Sequence, residues 1–420
     1  MAIVDDLTSE DLFAQELEAK KDRICQILCC IIVALMTQQV LGAISVLLQL
    51  MLVGGLVLLK WQQIILRVGK AWPVLLFPVF ALLSTLWSDD PSVSFRYGLQ
   101  LVFTYLVAIA VAASITPSRL VGAIYLASLI IAILSILSGR QGNSEVGPVL
   151  VGLTGSKNQI AALAQLLLAA CPLLFFDRSH SRFLRTTALV TAPAAFYLLI
   201  QAQSATGILT AIGATGLIVG LMALRVIPPT GRVAALVAVV LLAAPFVILK
   251  DLIIEQAQSV STTVFKKDAT LTGRTYLWRQ ADRLIEERPV VGHGYRATWL
   301  GKSATSIGLL RWADVPDPRG FNFHSTYKEL RVDTGNVGAA LWVIGFRFGA
   351  FVVLRYYLLT GDISCAFLLV MVATLGVKSF SELIVGPFST MVLLPVCAAA
   401  ILLTRTETDG DEAFDEQQAA

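Results

Sequence analysis

Residues 98–138 read GLQLVFTYLVAIAVAASITPSRLVGAIYLASLIIAILSILS. Two apolar runs, 98–115 and 119–138, are joined by a short polar break that holds the only charged residue of the stretch, Arg119. A helix needs about 20 residues to cross the roughly 30 Å bilayer core. Lipid offers no water to unpaired backbone groups, so runs like these form helices. A membrane β-barrel would alternate apolar and polar positions, and these runs are continuous. The same pattern extends outward, at 24–38, 41–59, 71–87, 158–176, 183–201, 206–225, 233–250, 335–358, 362–378 and 387–404. The composition agrees: 56% of the 420 residues are hydrophobic and 15% charged, where soluble domains carry about 25% charged. Mean hydropathy is +0.75. The expected fold is an all-α polytopic membrane protein of about twelve transmembrane helices.

One long polar interval, Asp251–Asp333, interrupts the series between spans nine and ten. The chain divides into an acidic tail over 1–23, spans one to nine over 24–250, the loop over 251–333, spans ten to twelve over 334–404, and a second acidic tail over 405–420. The first tail holds Asp5, Asp6, Glu10, Asp11, Glu16 and Glu18 and lacks the basic start of a signal peptide. Both ends read as solvated tails. With the N-terminus inside, the inner short loops and helix ends collect fourteen basic residues: Lys20, Lys21, Arg23, Lys60, Arg67, Lys70, Arg119, Arg178, Arg182, Arg185, Arg225, Arg232, Arg355 and Arg405. The outer ones collect four: Arg96, Arg140, Lys157 and Lys378. This positive-inside bias puts both tails in the cytoplasm and the loop outside. The formal net charge of +3 discriminates little. The cysteines Cys25, Cys29, Cys30, Cys171, Cys365 and Cys397 sit in or beside apolar runs, with neither disulfide nor metal-ligand spacing. They read as small buried residues.

The loop is where chemistry is expected. Thr275–Glu287 reads as a helix, because Leu277, Ala281, Leu284 and Ile285 fall on one face. Thr272 is placed to cap it and Pro289 to stop it. Arg279 and Arg283 share a different face. Arg283 reads as a surface residue paired with Asp282, Glu286 or Glu287. Arg274 adds positive charge at the positive dipole end and calls for an anion nearby. His324 precedes the helix that leads into span ten. The dipole there favours a neutral imidazole, which can act as a general base. A loop histidine also serves often as a plain hydrogen-bonding residue, and the sequence leaves both roles open. On the same face, Trp87-Ser88-Asp89-Asp90-Pro91 ends span three, with Arg96 beyond it. Gly155-Ser156-Lys157-Asn158 opens span six, and Gln203-Ser204-Ala205-Thr206-Gly207 joins spans seven and eight. Alone, Lys157 and Arg96 read as snorkelling anchors. With the loop arginines they would line a cationic cavity able to grip a diphosphate through guanidinium forks.

These motifs, in this order, resemble the bacterial O-antigen ligase and Wzy-type polysaccharide polymerase superfamily, and most closely its exopolysaccharide polymerases. Trp87-Ser88-Asp89-Asp90-Pro91 is similar to an early outer-loop signature, and Lys157-Asn158 to a Lys-Asn motif. Thr272-Gly273-Arg274, followed by Trp278 and Arg288-Pro289-Val290-Val291-Gly292-His293-Gly294, is similar to the start of the large periplasmic loop. His324-Ser325-Thr326-Tyr327 is similar to its end. The resemblance implies a metal-independent glycosyltransferase without a cofactor, in the bacterial inner membrane with its site facing the periplasm. It would act on oligosaccharides carried on undecaprenyl diphosphate. In that reading His324 activates the acceptor hydroxyl and Arg274 contacts the diphosphate. Arg279, Arg288, Lys157, Asn158, Arg96, Tyr327 and His293 are the further substrate-binding candidates. The bilayer, a flippase and a chain-length regulator are the implied partners, and no nucleic acid is expected. One position departs from the pattern: Ala205 stands where many members carry an arginine.

Three activities remain open. One is a polymerase joining lipid-linked repeat units. Another is a ligase moving finished glycan onto lipid A core. The third is a transporter or flippase of lipid-linked oligosaccharide. Transporters place ionisable residues and broken helices near the midplane. Here the charges gather outside the apolar runs, and Lys378 and Glu382 read as an interfacial ion pair one turn apart.

Overall fold

Serine, threonine and aspartate residues ahead of the apolar runs start the helices. The computed structural model describes residues 9–144, 147–178, 180–248, 272–313 and 320–401. Expectations for Asp5, Asp6, Asp251, Glu255, Lys266, Lys267, Asp268, Asp314, Asp317, Arg319 and the tail from Thr406 lie outside the described residues, as do those for the side chains of Thr272 and Ala205. Helix α1 covers Ser9–Thr37, α2 Ala43–Lys70 and α3 Trp72–Leu83, which a 3-10 turn at Ser84–Leu86 prolongs. Asp90 accepts the N–H of Val93 and caps α4, Pro91–Ser114, with proline in its first turn. Thr116 caps α5, Pro117–Ser138, in the same way. Ser156 caps α6, Lys157–Phe176, and Ser181 caps α7, Arg182–Gln201. Ser204 caps α8, Ala205–Leu224, by accepting the N–H of Gly207 at 3.2 Å. Helix α9 covers Pro229–Ile248. Two motifs singled out by sequence, at 155–158 and 203–207, are therefore helix starts.

Three helices follow within the loop: α10 at Thr272–Glu287, the single turn α11 at Ala297–Leu300, and α12 at Ala304–Ala313. Then come α13 at Thr326–Thr360, α14 at Ile363–Lys378 and α15 at Thr390–Ile401. The sequence reading did not anticipate the antiparallel hairpin between α5 and α6, β1 at Gln141–Ser144 with β2 at Gly147–Leu150. Each strand is too short to show alternation.

Within the described residues, each of the twelve apolar stretches overlaps a helix. Seven helices are long and apolar enough to cross a membrane, and three shorter apolar helices join them at 72–86, 363–378 and 390–400. The protein is an all-α, multi-pass membrane protein. Helix α4 packs against α2, α3 and α15, and α6 against α5, α7 and α8. Helices α4, α5 and α6 are largely enclosed by their neighbours, whereas α2 turns Leu47, Met51 and Leu58 outward. Exposed apolar side chains on such a helix suit lipid. The cysteines form no disulfide among the described residues, and all but Cys30 are buried.

The first helix departs from expectation. Residues 9–23 are helical instead of a loose tail, and acidic side chains toward the end of this segment find basic partners. Glu18 and Asp22 pair with Lys60, and Asp22 with Arg119 at 2.8 Å. Lys60 is also the non-helical residue at which α2 kinks.

The loop carries a small core of its own. Leu277, Ala281, Leu284 and Ile285 of α10, the predicted face, pack with Trp299, Leu309, Phe323 and Val332. This cap meets the bundle at Gly335, where α13 breaks (φ 65, ψ −170). A Cβ at Gly335 would lie 2.2 Å from the Val290 carbonyl oxygen, and one at Gly292 2.6 Å from the Gly335 nitrogen. Only glycine allows the 288–294 strand of chain to cross α13 so closely.

Candidate functional site

Backbone bonds on both sides hold the His324 turn. Phe323 is fully buried against Trp299, and its N–H donates to Glu329 Oε2 at 2.8 Å. Its carbonyl accepts Trp278 Nε1–H of α10, also at 2.8 Å. Downstream, the Thr326 N–H donates to the Ser379 carbonyl at 2.9 Å, and Thr326 Oγ1–H to the Glu382 carbonyl at 2.7 Å. His324 itself has φ 52, a left-handed conformation uncommon outside glycine. Its N–H donates to Asn322 Oδ1 at 2.8 Å, which satisfies the backbone in that geometry.

The imidazole of His324 is half-buried, with the edge of Phe321 against it. Among the described residues neither ring nitrogen has a hydrogen-bond partner. Burial lowers its pKa below the ordinary value near 6.5, and the positive charge of nearby Arg274 lowers it further. The neutral imidazole expected from the helix dipole is thus favoured, but by desolvation and a guanidinium instead. Arg274, half-buried in the first turn of α10, has no ion pair among the described residues. A free imidazole lone pair beside an unpaired cation can take a proton and hold an anion.

The other candidates fall in three groups. Tyr327 joins the same turn, its ring against Phe380 (5.0 Å) and Trp342 (5.7 Å). Arg288 and His293 instead hold the cap to the bundle. Arg288 Nη1 pairs with Asp89 Oδ1 at 2.9 Å. His293 Nδ1 lies 2.8 Å from Asp89 Oδ2, and Nε2 lies 3.0 Å from the Leu284 carbonyl. His293 is 6% exposed, so it reaches a substrate only by giving up one of these bonds. Trp87 Nε1–H to the Val291 carbonyl and the Asp89 N–H to the His293 carbonyl, each at 2.9 Å, complete the latch. The two motifs at 87–91 and 288–294 are halves of one contact.

The third group makes no bond to the turn among the described residues. Arg279 and Arg283 are exposed on α10, and Asp282 pairs with Lys328 in place of either. The ion pair expected for Arg283 is thus absent among the described residues. Arg96 is exposed with its guanidinium 5.8 Å from the Tyr97 ring centroid. Lys157 and Asn158 are the first residues of α6, half-buried, and no hydrogen bond or ion pair among the described residues ties them to the His324 turn.

Sequence reasoning missed a buried charged cluster beneath the turn. Arg296 Nη1 pairs with Glu329 Oε1 at 3.2 Å, with both side chains enclosed. The Arg296 N–H donates to Asp333 Oδ2 at 2.9 Å, and Trp299 Nε1–H to Glu329 Oε2 at 3.3 Å. The available signal was spacing: Glu329 and Asp333 lie four apart, on the same inward stripe as buried Val332. Lys378 also differs from expectation. It is 4% exposed, and its Nζ donates to Gln165 Oε1 at 2.9 Å, with no ion pair to Glu382. Among the described residues no group of three or more His, Cys, Asp or Glu side chains is placed to hold a metal ion.

The fold and the site together define a multi-pass membrane protein whose polar helical cap sets an imidazole beside a guanidinium. The family model described as O-antigen ligase matches residues 189–343, from α7 through the cap into α13. The exopolysaccharide production protein ExoQ of Rhizobium meliloti (strain 1021) is 28% identical over 302 residues, 71% of this chain and 69% of that protein. These matches support a place in the O-antigen ligase and Wzy-type superfamily and a function of ligase or polymerase type. A chain from the solved structure titled "Structural coordination of polymerization and crosslinking by a peptidoglycan synthase complex" aligns over 81% of this chain and 97% of its own. Its TM-score of 0.40 and 17% identity are too low to define a shared fold.

Proposed function

We propose that the protein is a polymerase that joins undecaprenyl-diphosphate-linked oligosaccharide repeat units at the periplasmic face of the inner membrane. The observation that carries this reading is the His324 imidazole, without a hydrogen-bond partner among the described residues and within electrostatic reach of Arg274 in α10. Lone-pair attack by the acceptor hydroxyl oxygen forms a new glycosidic C–O bond as the anomeric C–O bond to diphosphate breaks. His324 takes the hydroxyl proton, and the departing undecaprenyl diphosphate keeps the electron pair. Arg274 faces the charge that develops on it. The donor already carries a good leaving group, and a single displacement inverts the anomeric centre. The positive-inside bias supports twelve spans with both tails in the cytoplasm and the 251–333 loop in the periplasm. A flippase and a chain-length regulator would act with it.

Polymerisation is favoured over ligation by the similarity to a protein named for exopolysaccharide production. The ligase reading rests on the description of the matching family model. The test uses purified protein in nanodiscs with chelator and no nucleotide. Undecaprenyl-diphosphate oligosaccharide alone should give a ladder of longer lipid-linked products. Transfer only after lipid A core is added would make the protein a ligase. Movement of the lipid-linked sugar across the bilayer with neither product would make it a transporter.

A further inference from the structure

We propose that Lys378 binds a phosphate group of the polyprenyl-diphosphate lipid from inside the bundle, below the His324 turn. This rests on the polymerase reading and adds a second cationic contact to it. Lys378 is the last residue of α14 and 4% exposed. Its ammonium has three N–H donors. One goes to Gln165 Oε1 of α6 at 2.9 Å, and the hydroxyl of Thr210 in α8 donates to the same oxygen at 3.3 Å. The other two have no protein acceptor, and no carboxylate lies within ion-pair distance among the described residues. The carboxylate of Glu382 acts on this ammonium only from beyond ion-pair distance, so no direct counter-charge meets the buried cation. An ionisable side chain within a membrane bundle marks a substrate path more often than a packing role.

The surroundings suit a lipid phosphate. Lys378 and Gln165 line a cavity of about 30 Å³ between α6, α14 and α15, whose other walls include Ala162, Leu166, Met371 and Leu394. Apolar walls with a cation at one end match an isoprenoid chain ending in phosphate. The volume admits one phosphoryl oxygen, and the flexible Met371 side chain can yield to the rest. The position also suits the reaction. Ser379, the next residue, accepts the N–H of Thr326, two residues after His324. The backbone segments that carry Lys378 and His324 are therefore joined by one hydrogen bond.

The experiment uses full-length protein in phosphatidylcholine nanodiscs. Binding of undecaprenyl diphosphate and of phosphatidylglycerol is measured by native mass spectrometry, beside donor KM and thermal unfolding. Lys378→Met should weaken undecaprenyl diphosphate binding and raise donor KM by about tenfold, the weight of one charge-assisted hydrogen bond. Lys378→Arg should recover most of both, and Gln165→Leu, which keeps the cation but removes its amide partner, should cost clearly less binding than Lys378→Met. Unchanged undecaprenyl diphosphate binding in Lys378→Met overturns the proposal. So does a loss confined to phosphatidylglycerol, which would mark a bulk-lipid site. Equal loss in Gln165→Leu and Lys378→Met overturns it as well, because the bond between α6 and α14 would then be the lysine's purpose. If wild-type protein makes no ladder, the polymerase reading fails, while the binding measurement still decides Lys378.

Discussion

Glu329 accepts the backbone N–H of Phe323 at 2.8 Å, and this one bond couples a buried charged cluster to the residue before His324. The same carboxylate takes Arg296 and Trp299. On the proposed mechanism it would be a positioning residue, acting on His324 through the turn. Glu329→Gln keeps an acceptor for Phe323 but removes one of the carboxylate charges that act on Arg296. We expect a fall in kcat of about tenfold or more with a smaller change in KM, because a displaced base harms the chemical step. Glu329→Ala should also lower thermal stability by about 3–5 kcal/mol, the cost of stranding a buried partner. Unfolding in detergent and steady-state kinetics separate the two effects. An unchanged kcat in a destabilised but folded Glu329→Gln protein would sink the positioning role.

On the proposed mechanism the acid side of the pH profile belongs to His324. Its folded pKa lies below about 6.5, so the base is neutral and competent at pH 7, and activity is lost as pH falls through that lowered value. His324→Ala should abolish polymer while leaving the protein in the membrane. Removing the neighbouring charge with Arg274→Gln should move the acid limb of the residual rate toward higher pH. The imidazolium is then easier to form, although burial still opposes it. A limb that stays in place in that variant would separate the two residues.

Much of this was legible because membrane helices write themselves in long apolar runs and polar caps. The amphipathic face of α10 at Leu277, Ala281, Leu284 and Ile285 was equally plain, since burial follows the 3.6-residue period. Less legible were the roles of Arg288 and His293. A basic side chain in a polar loop looks the same whether it awaits a substrate or faces Asp89, which lies about 200 residues earlier in the chain. Glu329 and Lys378 were hidden for a related reason. Their charge argues for a surface, and only the tertiary fold supplies the partners that let them be buried.

The latch between Asp89 and the cap should yield unequal couplings. Arg288 is 45% exposed at its side chain, so its pair with Asp89 should be worth about 0.5 kcal/mol in a double-mutant cycle. His293 is 8% exposed at its side chain, and its bond to the same carboxylate should be worth about 1–3 kcal/mol. Asp89→Asn should therefore lower the unfolding temperature more than Arg288→Ala does. Thermal scans of the two single variants and the Asp89/His293 cycle check the order, and equal shifts would mean that the cap is held elsewhere.

Arg274→Lys tests whether geometry or charge matters at the cation. Lysine keeps the positive charge and so much of the electrostatic depression on His324, but loses the planar fork that meets two phosphoryl oxygens at once. Loss of one of two charge-assisted hydrogen bonds costs about 1.5–3 kcal/mol, or roughly ten- to hundredfold in kcat/KM. The acid limb of the pH profile should stay near its wild-type position, in contrast to Arg274→Gln. The combination is diagnostic. Low kcat/KM with an unmoved acid limb places a phosphate on the guanidinium. Normal kcat/KM in Arg274→Lys would mean that the diphosphate is held by other residues.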